Sequence, residues 1–332
     1  MKTAADKLVD AREPIVVGLG ELIWDMLPGG KQLGGAPTNF AYISRLLGHP
    51  SIVASRVGAD ALGREARERL RRMGLNTDYL QLDESHPTGT VGVRVDERGE
   101  AHFQMNECSA WDFLEWTGEW EELALRTDAV CFGTLGQRER RAREIIIRFL
   151  ERTRPDALRI FDVNLRHTFF TTEMLQRSLE LATMVKLNQE ELNTVACMLQ
   201  LGELDEEALS RQLIERFSIA LVAITRGENG SVLITKEDAT AHPGFRVKVV
   251  DTIGAGDAFT AALAHFYLRG AGLETISEAA NRMGSWVATQ TGATPELSLK
   301  NLEEIFGGLA SHAEQAQGSV APPPGDDGRH QQ

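Results

Sequence analysis

The strongest chemical signal in the sequence lies in the run Asp251-Thr-Ile-Gly-Ala-Gly-Asp-Ala-Phe259. A strand-like segment ends just before this run and an apolar helix follows it. Glycines let the backbone turn tightly and approach a ligand, and the first amides of a helix have no partners within the helix. Gly254, Ala255 and Gly256 are therefore predicted to direct amide donors at a phosphate group.

An aspartate follows these small residues directly, at position 257. A carboxylate would repel a bound phosphate unless it collects a proton or binds a metal ion. Transfer of a phosphate to a hydroxyl needs both parts, a base for the alcohol and donors for the moving charge. We therefore interpret Asp257 as a catalytic base. The alternative is that Asp257 only caps the helix.

A second group of candidate ligands lies near the N-terminus. Gly34-Gly35-Ala-Pro-Thr-Asn39 leads directly into a helical pattern, and Asp25 follows the first predicted strand. Side chains at the carboxyl ends of parallel strands commonly bind ligands. Gly35, Asn39 and Asp25 are therefore candidates, although alone Asn39 is typical of a helix cap and Asp25 of a solvated loop.

Alternating strands and helices are predicted to position these groups. This alternation is typical of a mostly parallel sheet covered by helices, that is, of an α/β fold. The strand-like runs are 15–18, 52–57, 129–132, 159–163, 184–187 and 220–225. Helical spacing occurs at about 40–47, 62–73, 140–153, 172–182, 189–200, 206–217, 258–268, 275–289 and 299–306.

Two segments depart from this alternation. Residues 90–95 and 101–105 both alternate between apolar and polar and flank a turn, which predicts a hairpin in a small separate sheet. Residues 231–235 and 246–250 predict a second, late hairpin.

The overall composition narrows the function classes. Across 332 residues the formal charge is −13, which argues against binding to a nucleic-acid backbone. The three cysteines at positions 108, 131 and 197 are far apart, which favours free thiols in a reducing compartment. The charged N-terminus lacks the apolar stretch of a signal peptide, and no segment is long enough to cross a bilayer. We therefore expect a cytoplasmic protein without a membrane or nucleic-acid partner.

Two motifs together resemble the signatures of the ribokinase (PfkB) family of carbohydrate kinases, in a fructokinase-like form. They are GGAPTNFA, with glycines at 48 and 58 behind it, and DTIGAGDAFTAAL about 215 residues later. The likeness extends over roughly residues 14–306. It implies a three-layer α/β/α fold with a central, mostly parallel sheet. The kinase domain would span 14–310, with a small β lid from about 22–33 and 88–108 and with disordered tails at 1–13 and 311–332.

The resemblance also assigns roles in catalysis and sugar binding. It makes Asp257 the catalytic base and the amides of residues 254–256 the anion hole. The sugar contacts fall on Asp25, Gly35 and Asn39. In the run Asp162-Val-Asn-Leu-Arg166 the arginine is expected near the transferring phosphate, where a guanidinium suits phosphate oxygens.

The nucleotide site implied by the resemblance lies further along the chain. Asn188 would contact ATP phosphates and Glu191 would hold Mg²⁺ through water, although N-x-x-E is also a common capping box. The nucleotide loop would include Thr225, Gly227 and Gly230, with Asn281 near the adenine. A monovalent cation such as K⁺ would bind near Asp251 and Ile253.

The substrate implied by the resemblance is a small monosaccharide, phosphorylated at a primary hydroxyl. The D-x-N-x-R run favours fructose or 2-keto-3-deoxygluconate. Gly136 stands where ribokinases have a sugar-binding glutamate, which counts against ribose. A homodimer through the lid is expected, because many relatives use that sheet to dimerise. A catalytically inactive sugar- or nucleotide-binding protein with the same fold is the alternative from another class.

Two other nucleotide-binding classes do not fit the sequence. A dinucleotide-binding fingerprint beginning at Gly18 requires a third glycine at position 23, which is Ile23. A P-loop requires Ser or Thr after Gly30-Lys31, but the next residue is Gln32.

Overall fold

The structure, a computed structural model, describes residues 12–27, 29–95, 101–202, 205–307 and 309. The tail predicted at 311–332 and most of that at 1–13 lie outside the described residues. The strands are β1 (Val16–Leu19), β2 (Ile23–Leu27), β3 (Gly30–Gly34), β4 (Ser51–Gly58), β5 (Leu80–Asp83), β6 (Gly89–Val95), β7 (Ala101–Met105), β8 (Ala129–Phe132), β9 (Leu158–Asp162), β10 (Met184–Asn188), β11 (Leu221–Thr225), β12 (Ser231–Ile234) and β13 (Ala239–His242).

In the described part of the chain nine α-helices match helical patterns predicted from the sequence, whereas α3 was not predicted. Within the described residues, no helix combines the length and the apolar character needed to span a bilayer. The helices are α1 (Ala36–Leu46), α2 (Ala61–Arg72), α3 (Gly118–Arg126), α4 (Arg140–Arg152), α5 (Thr172–Leu181), α6 (Gln189–Met198), α7 (Glu206–Phe217), α8 (Ala255–Leu268), α9 (Leu273–Ala288) and α10 (Leu299–Phe306).

Nine strands form the central sheet, in the order β13-β12-β11-β10-β9-β8-β1-β4-β5. From β11 to β5 every neighbouring pair is parallel, whereas β12 and β13 form an antiparallel hairpin at one edge. Central strands of a parallel sheet are covered on both faces, which explains why all eight residues of β4 are buried. The α/β class predicted from alternation is confirmed.

Two apolar cores lie on opposite faces of this sheet and make it a three-layer structure. One core packs under α1, α8 and α9 and contains Phe40 and Phe259. The other packs under α3 to α7 and contains Trp120 and Phe149. The helix that carries Asp257 is therefore anchored along its length against one face of the sheet.

A second sheet of four strands, in the order β3-β2-β6-β7, is here called the lid. β2 pairs antiparallel with β3 and parallel with β6, so strands from 23–34 and 89–105 form one unit. The predicted hairpin of residues 90–105 is present as the pair β6 and β7.

The predicted late hairpin is wrong in its second strand. β12 pairs with β13 at 239–242, and residues 246–250 form no strand. Thr235 and Asp238 close a tight turn through two hydrogen bonds. The Asp238 amide donates to Thr235 Oγ1, and the Thr235 amide donates to the Asp238 carbonyl. The residues directly after this turn therefore pair with β12. Val249 and Val250 are instead more than half exposed.

Candidate active site

The site forms where the carboxyl ends of β1, β9 and β10 meet the first turns of α1 and α8. Asn39 on α1 donates from Nδ2 to Oδ2 of Asp257 on α8, at 2.8 Å and across 218 positions of sequence. This bond joins the two regions that the sequence singled out, so the predicted sugar and phosphate residues share one site.

Asp257 is buried and surrounded by charged groups. Burial is the main reason that the pKa of its carboxyl rises to about 6, and the nearby Asp162 raises it further. The Asn39 hydrogen bond and the cations Lys186 and Arg166 act in the opposite direction. A carboxyl with a pKa near 6 is largely ionised at neutral pH and still accepts a proton readily, as a general base must.

The first turn of α8 is shaped by glycine. Gly254 is its N-cap, with a φ of 78° that favours glycine, and a Cβ there would lie 2.5 Å from that of Ala293. The Ala255 amide donates weakly to the Thr252 carbonyl at 3.3 Å. Gly256 follows at the second helical position, where an amide has no partner within the helix. The predicted anion hole is thus a helix start, with the Ala255 amide partly engaged.

A buried ion pair lies directly beneath this turn, and sequence reasoning did not identify it as part of the site. Lys186 Nζ binds Asp162 Oδ1 at 3.1 Å, and Thr260 donates to Asp162 Oδ2 at 3.2 Å. A Cβ on Gly256 would lie 3.1 Å from Lys186 Nζ. Burial alone would lower the pKa of Lys186, but the neighbouring carboxylates raise it. A lysine inside the apolar strand MVKLN was the available signal.

The predicted sugar-binding residues lie on the lid and at the start of α1. Asp25 is on β2, and a Cβ on Gly34 would lie 2.7 Å from its Oδ2. Burial raises the pKa of Asp25. Gly35 has a φ of 106° and approaches the Glu21 carbonyl so closely that a Cβ would lie 2.5 Å from its oxygen.

Glu21 is a buried acid of the same region that sequence reasoning missed. It follows β1 and is 2% exposed, and its Oε2 has no hydrogen-bond partner. Burial raises the pKa of its carboxyl to about 7, and Asp257 raises it further, whereas the Ala36 amide and Arg166 lower it.

The predicted metal ligand Glu191 is engaged by backbone amides. Its Oε2 accepts from the Asn188 amide and its Oε1 from the Leu165 amide, both at 2.9 Å. Asn188 Oδ1 accepts from the Glu191 amide in return, which completes a capping box. The described residues contain no cluster of three or more metal-binding side chains. Mg²⁺ carried by nucleotide phosphates needs only one or two carboxylates and keeps its waters, so Glu191 fits binding through water.

Arg166 lies in an exposed loop that Glu191 fixes through Leu165. Asn164 and His167 flank it with φ values of 41° and 50°, which are rare for residues other than glycine. Such strain is typical of loops whose shape serves function. Arg166 acts on the pKa of both Asp257 and Glu21, so its charge reaches the site.

The predicted nucleotide loop follows β11, beside the end of β10. Thr225 ends β11, and Gly227 and Gly230 bound a short 3-10 turn in which both have positive φ. Asn281 is buried on α9 and donates from Nδ2 to Ser231 Oγ and to the Ser277 carbonyl. Only its side-chain carbonyl therefore remains for a ligand.

Asp251 organises the predicted monovalent-cation region. It accepts from the amides of Ile253 and Gly292, each at 3.0 Å, and so joins the loop before α8 to the loop after α9. Ile253 itself is 43% exposed. Gln32 of the lid also reaches this region, because a Cβ on Gly292 would lie 2.7 Å from its Oε1.

Known proteins of the same family share both the sequence and the fold. The model of the pfkB family carbohydrate kinases matches residues 20–300. A fructokinase of Escherichia coli is 33% identical over 310 residues, which cover 84% of this chain and 94% of that protein. An uncharacterized sugar kinase of Pyrococcus horikoshii in complex with ATP has a TM-score of 0.75 at 27% identity, covering 90% of this chain and 99% of its own. A fructokinase of Vibrio cholerae O395 with bound fructose, ADP and calcium has a TM-score of 0.72 at 26% identity, covering 86% and 96%. With the two signature motifs in one site, these matches place the chain in the pfkB family of carbohydrate kinases.

Proposed function

We propose that this sugar kinase of the pfkB family transfers the γ-phosphate of ATP to a primary hydroxyl of fructose. One observation carries the proposal. Asp257 is a buried carboxyl with a pKa of about 6, held by Asn39 at the start of α8, where helix amides can bind an anion. Fructose is favoured by the identity to the Escherichia coli fructokinase and by the likeness to the fructose-bound Vibrio cholerae structure.

In the proposed reaction Asp257 takes the proton from the sugar hydroxyl. The hydroxyl oxygen then forms a bond to the γ-phosphorus, the bond from that phosphorus to the bridging oxygen breaks, and ADP leaves. Asn39 orients the Asp257 carboxylate through its 2.8 Å hydrogen bond. Asp25 and Gly35 hold the sugar from the lid and from the start of α1. A preorganised base of this kind lowers the barrier without reorganising during the reaction.

The negative charge of the moving phosphate meets several donors and cations. The amides at the start of α8 and the Arg166 guanidinium face the phosphate, and Lys186 adds positive charge beneath Gly256. Mg²⁺, held by ATP and by Glu191 through water, would neutralise phosphate oxygens. Thr225, Gly227, Gly230 and Asn281 are proposed to line the nucleotide site, and Asp251 and Ile253 a K⁺ site beside it.

The first test is release of ADP from MgATP across a panel of fructose, 2-keto-3-deoxygluconate, ribose and nucleosides. The expected result is fastest turnover on fructose. Asp257→Asn keeps an oxygen that accepts from Asn39 but removes the base, so kcat is expected to fall about 10²- to 10⁴-fold. ATP binding, measured by calorimetry, should remain nearly unchanged.

The outcomes separate the parts of the proposal. Turnover on another sugar, lost in Asp257→Asn, would replace fructose but keep the base. Asp257→Asn that loses ATP binding while turnover per bound substrate is preserved would contradict the role of Asp257. A panel without turnover, with tight binding of ATP or sugar, would make the chain a binding protein with a kinase fold.

A further inference from the structure

Glu21 follows the carboxyl end of β1 and lies against Gly35, one of the residues of the proposed sugar site. The amide of Ala36, the first residue of α1, and the charges of Asp257 and Arg166 all affect the pKa of its carboxyl group. A Cβ on Gly136 would lie 3.3 Å from Glu21 Oε2. The missing side chain at position 136 therefore provides the space in which this carboxylate lies.

Backbone amides of Glu21 and Ala36 act on the Glu21 carboxyl group, but one of its two oxygens is left without a partner. Its Oε2 has no hydrogen-bond partner, and no other buried carboxylate oxygen in the described part of the chain is in that situation. Asp83, buried to the same degree, is paired with Arg56 at 3.0 Å, and Asp112 with Arg138 at 2.5 Å. Burying a carboxylate oxygen without a hydrogen-bond donor destabilises a fold, so binding of a ligand that supplies the donor is the better explanation.

Two more buried oxygens without a partner lie in the first turn of α1. They are Thr38 Oγ1 and Asn39 Oδ1. The amide end of Asn39 is engaged with Asp257, so its oxygen is the end left over. The start of α1 and the segment after β1 thus contain buried oxygen atoms that can accept hydrogen bonds but receive none from the described protein residues. A molecule with several hydroxyl groups supplies O–H donors and matches this arrangement.

We propose that Glu21 is a substrate-binding residue whose carboxylate accepts hydrogen bonds from sugar hydroxyls other than the one that is phosphorylated. This inference rests on the proposed function, because it assigns the recognition of the acceptor in the same site. Asp257 then acts on the reacting hydroxyl, whereas Glu21 selects acceptors that carry further hydroxyls near it. Glu21 is therefore expected to determine sugar specificity and to leave the nucleotide site unaffected.

The kinetic test compares wild type with Glu21→Gln on fructose and on monodeoxy analogues of fructose. Loss of a charge-assisted hydrogen bond should raise KM for fructose about 10- to 100-fold, with KM for ATP within about twofold of wild type. The analogue that lacks the contacted hydroxyl should be poor for wild type by a similar factor. Glu21→Gln should lose little more on that analogue, because the interaction is already absent.

The stability test uses the free protein and needs no sugar. Removing a buried charge whose Oε2 has no partner should raise the Tm of Glu21→Gln at pH 8, and fructose should shift that Tm less than it shifts the wild-type Tm. Asp83→Asn is the matched control, because it breaks a buried pair remote from the site. Its Tm should fall, while its KM for fructose should match wild type.

Two results would overturn the inference. One is a KM for fructose that Glu21→Gln leaves within about twofold of wild type. The other is a Tm that falls in Glu21→Gln as in Asp83→Asn, which would make Glu21 a structural residue. Whether fructose is the wrong substrate is decided separately, by the turnover of the wild-type protein on the sugar panel. If wild type prefers another sugar of the panel, the same comparison is made on that sugar and its deoxy analogues.

Discussion

Asp257 and Glu21 are two neighbouring buried acids with raised pKa values, so we expect protonation to affect both the proposed catalysis and the proposed binding of the sugar. Because the base must be ionised, kcat/KM for the sugar is expected to fall about tenfold per pH unit below pH 6, where Asp257 is protonated. A pH series of initial rates at saturating MgATP measures this limb. Protonation of Glu21, whose pKa is about 7, should add a second fall in kcat/KM near pH 7, because the charged carboxylate is the form proposed to bind the sugar. In Glu21→Gln this second fall should disappear and the fall near pH 6 should remain. A profile flat between pH 5 and 8 would contradict the assignment of Asp257.

The same carboxyl of Glu21 links pH to stability. Its folded pKa of about 7 lies above the ordinary value of 4.5 because of burial. Its contribution is therefore fully favourable below pH 4.5 and is lost as pH rises through 7, by about 3 kcal/mol in total. Denaturant unfolding from pH 4.5 to 8.5 should show wild type losing stability relative to Glu21→Gln across this window. Parallel curves for the two proteins would contradict the raised pKa.

Single residues were predictable where a motif specifies both type and position. The run around Asp257 and the run ending at Asn39 each combine glycines with a polar residue at a helix start, and the structure joins them by a hydrogen bond. Glu21 escaped prediction because an acid after a strand is common in solvated loops. Its burial depends on Gly136, more than a hundred residues away, and no local pattern records that contact.

Helix α8 allows a direct test of how an element positions the anion site, because a glycine with positive φ lies at each end. Gly254 at its start has a φ of 78° and would meet Ala293 through a Cβ, whereas Gly270 after its end has a φ of 71° and open space. Gly270→Ala should cost about 1–2 kcal/mol for the left-handed backbone alone. Gly254→Ala adds a steric clash and moves the turn, so kcat should also fall at least about 100-fold.

Unfolding free energy and kcat measured for both variants check this prediction. Equal loss of stability with unchanged kcat in both variants would mean that the α8 turn does not hold the phosphate site. A fall in kcat confined to Gly254→Ala is the expected result.

At the level of elements, apolar periodicity predicted most of the central sheet and its helices, because buried faces need continuous apolar residues. It did not predict α3 or β5, and it placed one edge strand wrongly where burial is slight. β13 has the weak pattern Ala-Thr-Ala-His and is a half-exposed edge strand, so its residues carry little signal. Residues 246–250 alternate as a strand does, yet their valines are exposed in a loop. Alternation indicates only that a segment can form a strand. Here β13, which follows β12 more closely in the sequence, pairs with β12 instead of residues 246–250.

The lid contacts helix α2 and the loop after α9. Trp24 donates from Nε1 to the Leu62 carbonyl at 3.1 Å, and Gln32 reaches Gly292. Met26 lies on β2 next to Asp25, so its side chain points to the opposite face of the lid, and it is 40% exposed. We propose that this face forms a homodimer.

Sedimentation equilibrium of wild type and Met26→Asp tests the dimer. In a two-fold interface the new charge occurs twice, so the dissociation constant should rise about 100-fold or more. Leu125→Asp, at an exposed apolar residue of α3 and outside the lid, should leave the dimer intact. Wild type that sediments as a monomer at all concentrations would contradict the proposal.

The contact between Glu21 and Gly136 constrains how this family member can evolve toward other acceptors. A side chain at 136 would begin 3.3 Å from the Glu21 carboxylate and 3.0 Å from the Gly20 Cα. If a larger residue arises at 136 first, its side chain displaces the Glu21 carboxylate before another residue can take over the binding of the sugar. The tolerated order of substitutions is a shorter side chain at position 21 first and a larger one at position 136 afterwards. The two positions should therefore vary as a pair among descendants, and a change of preferred sugar should require an intermediate of weakened selectivity.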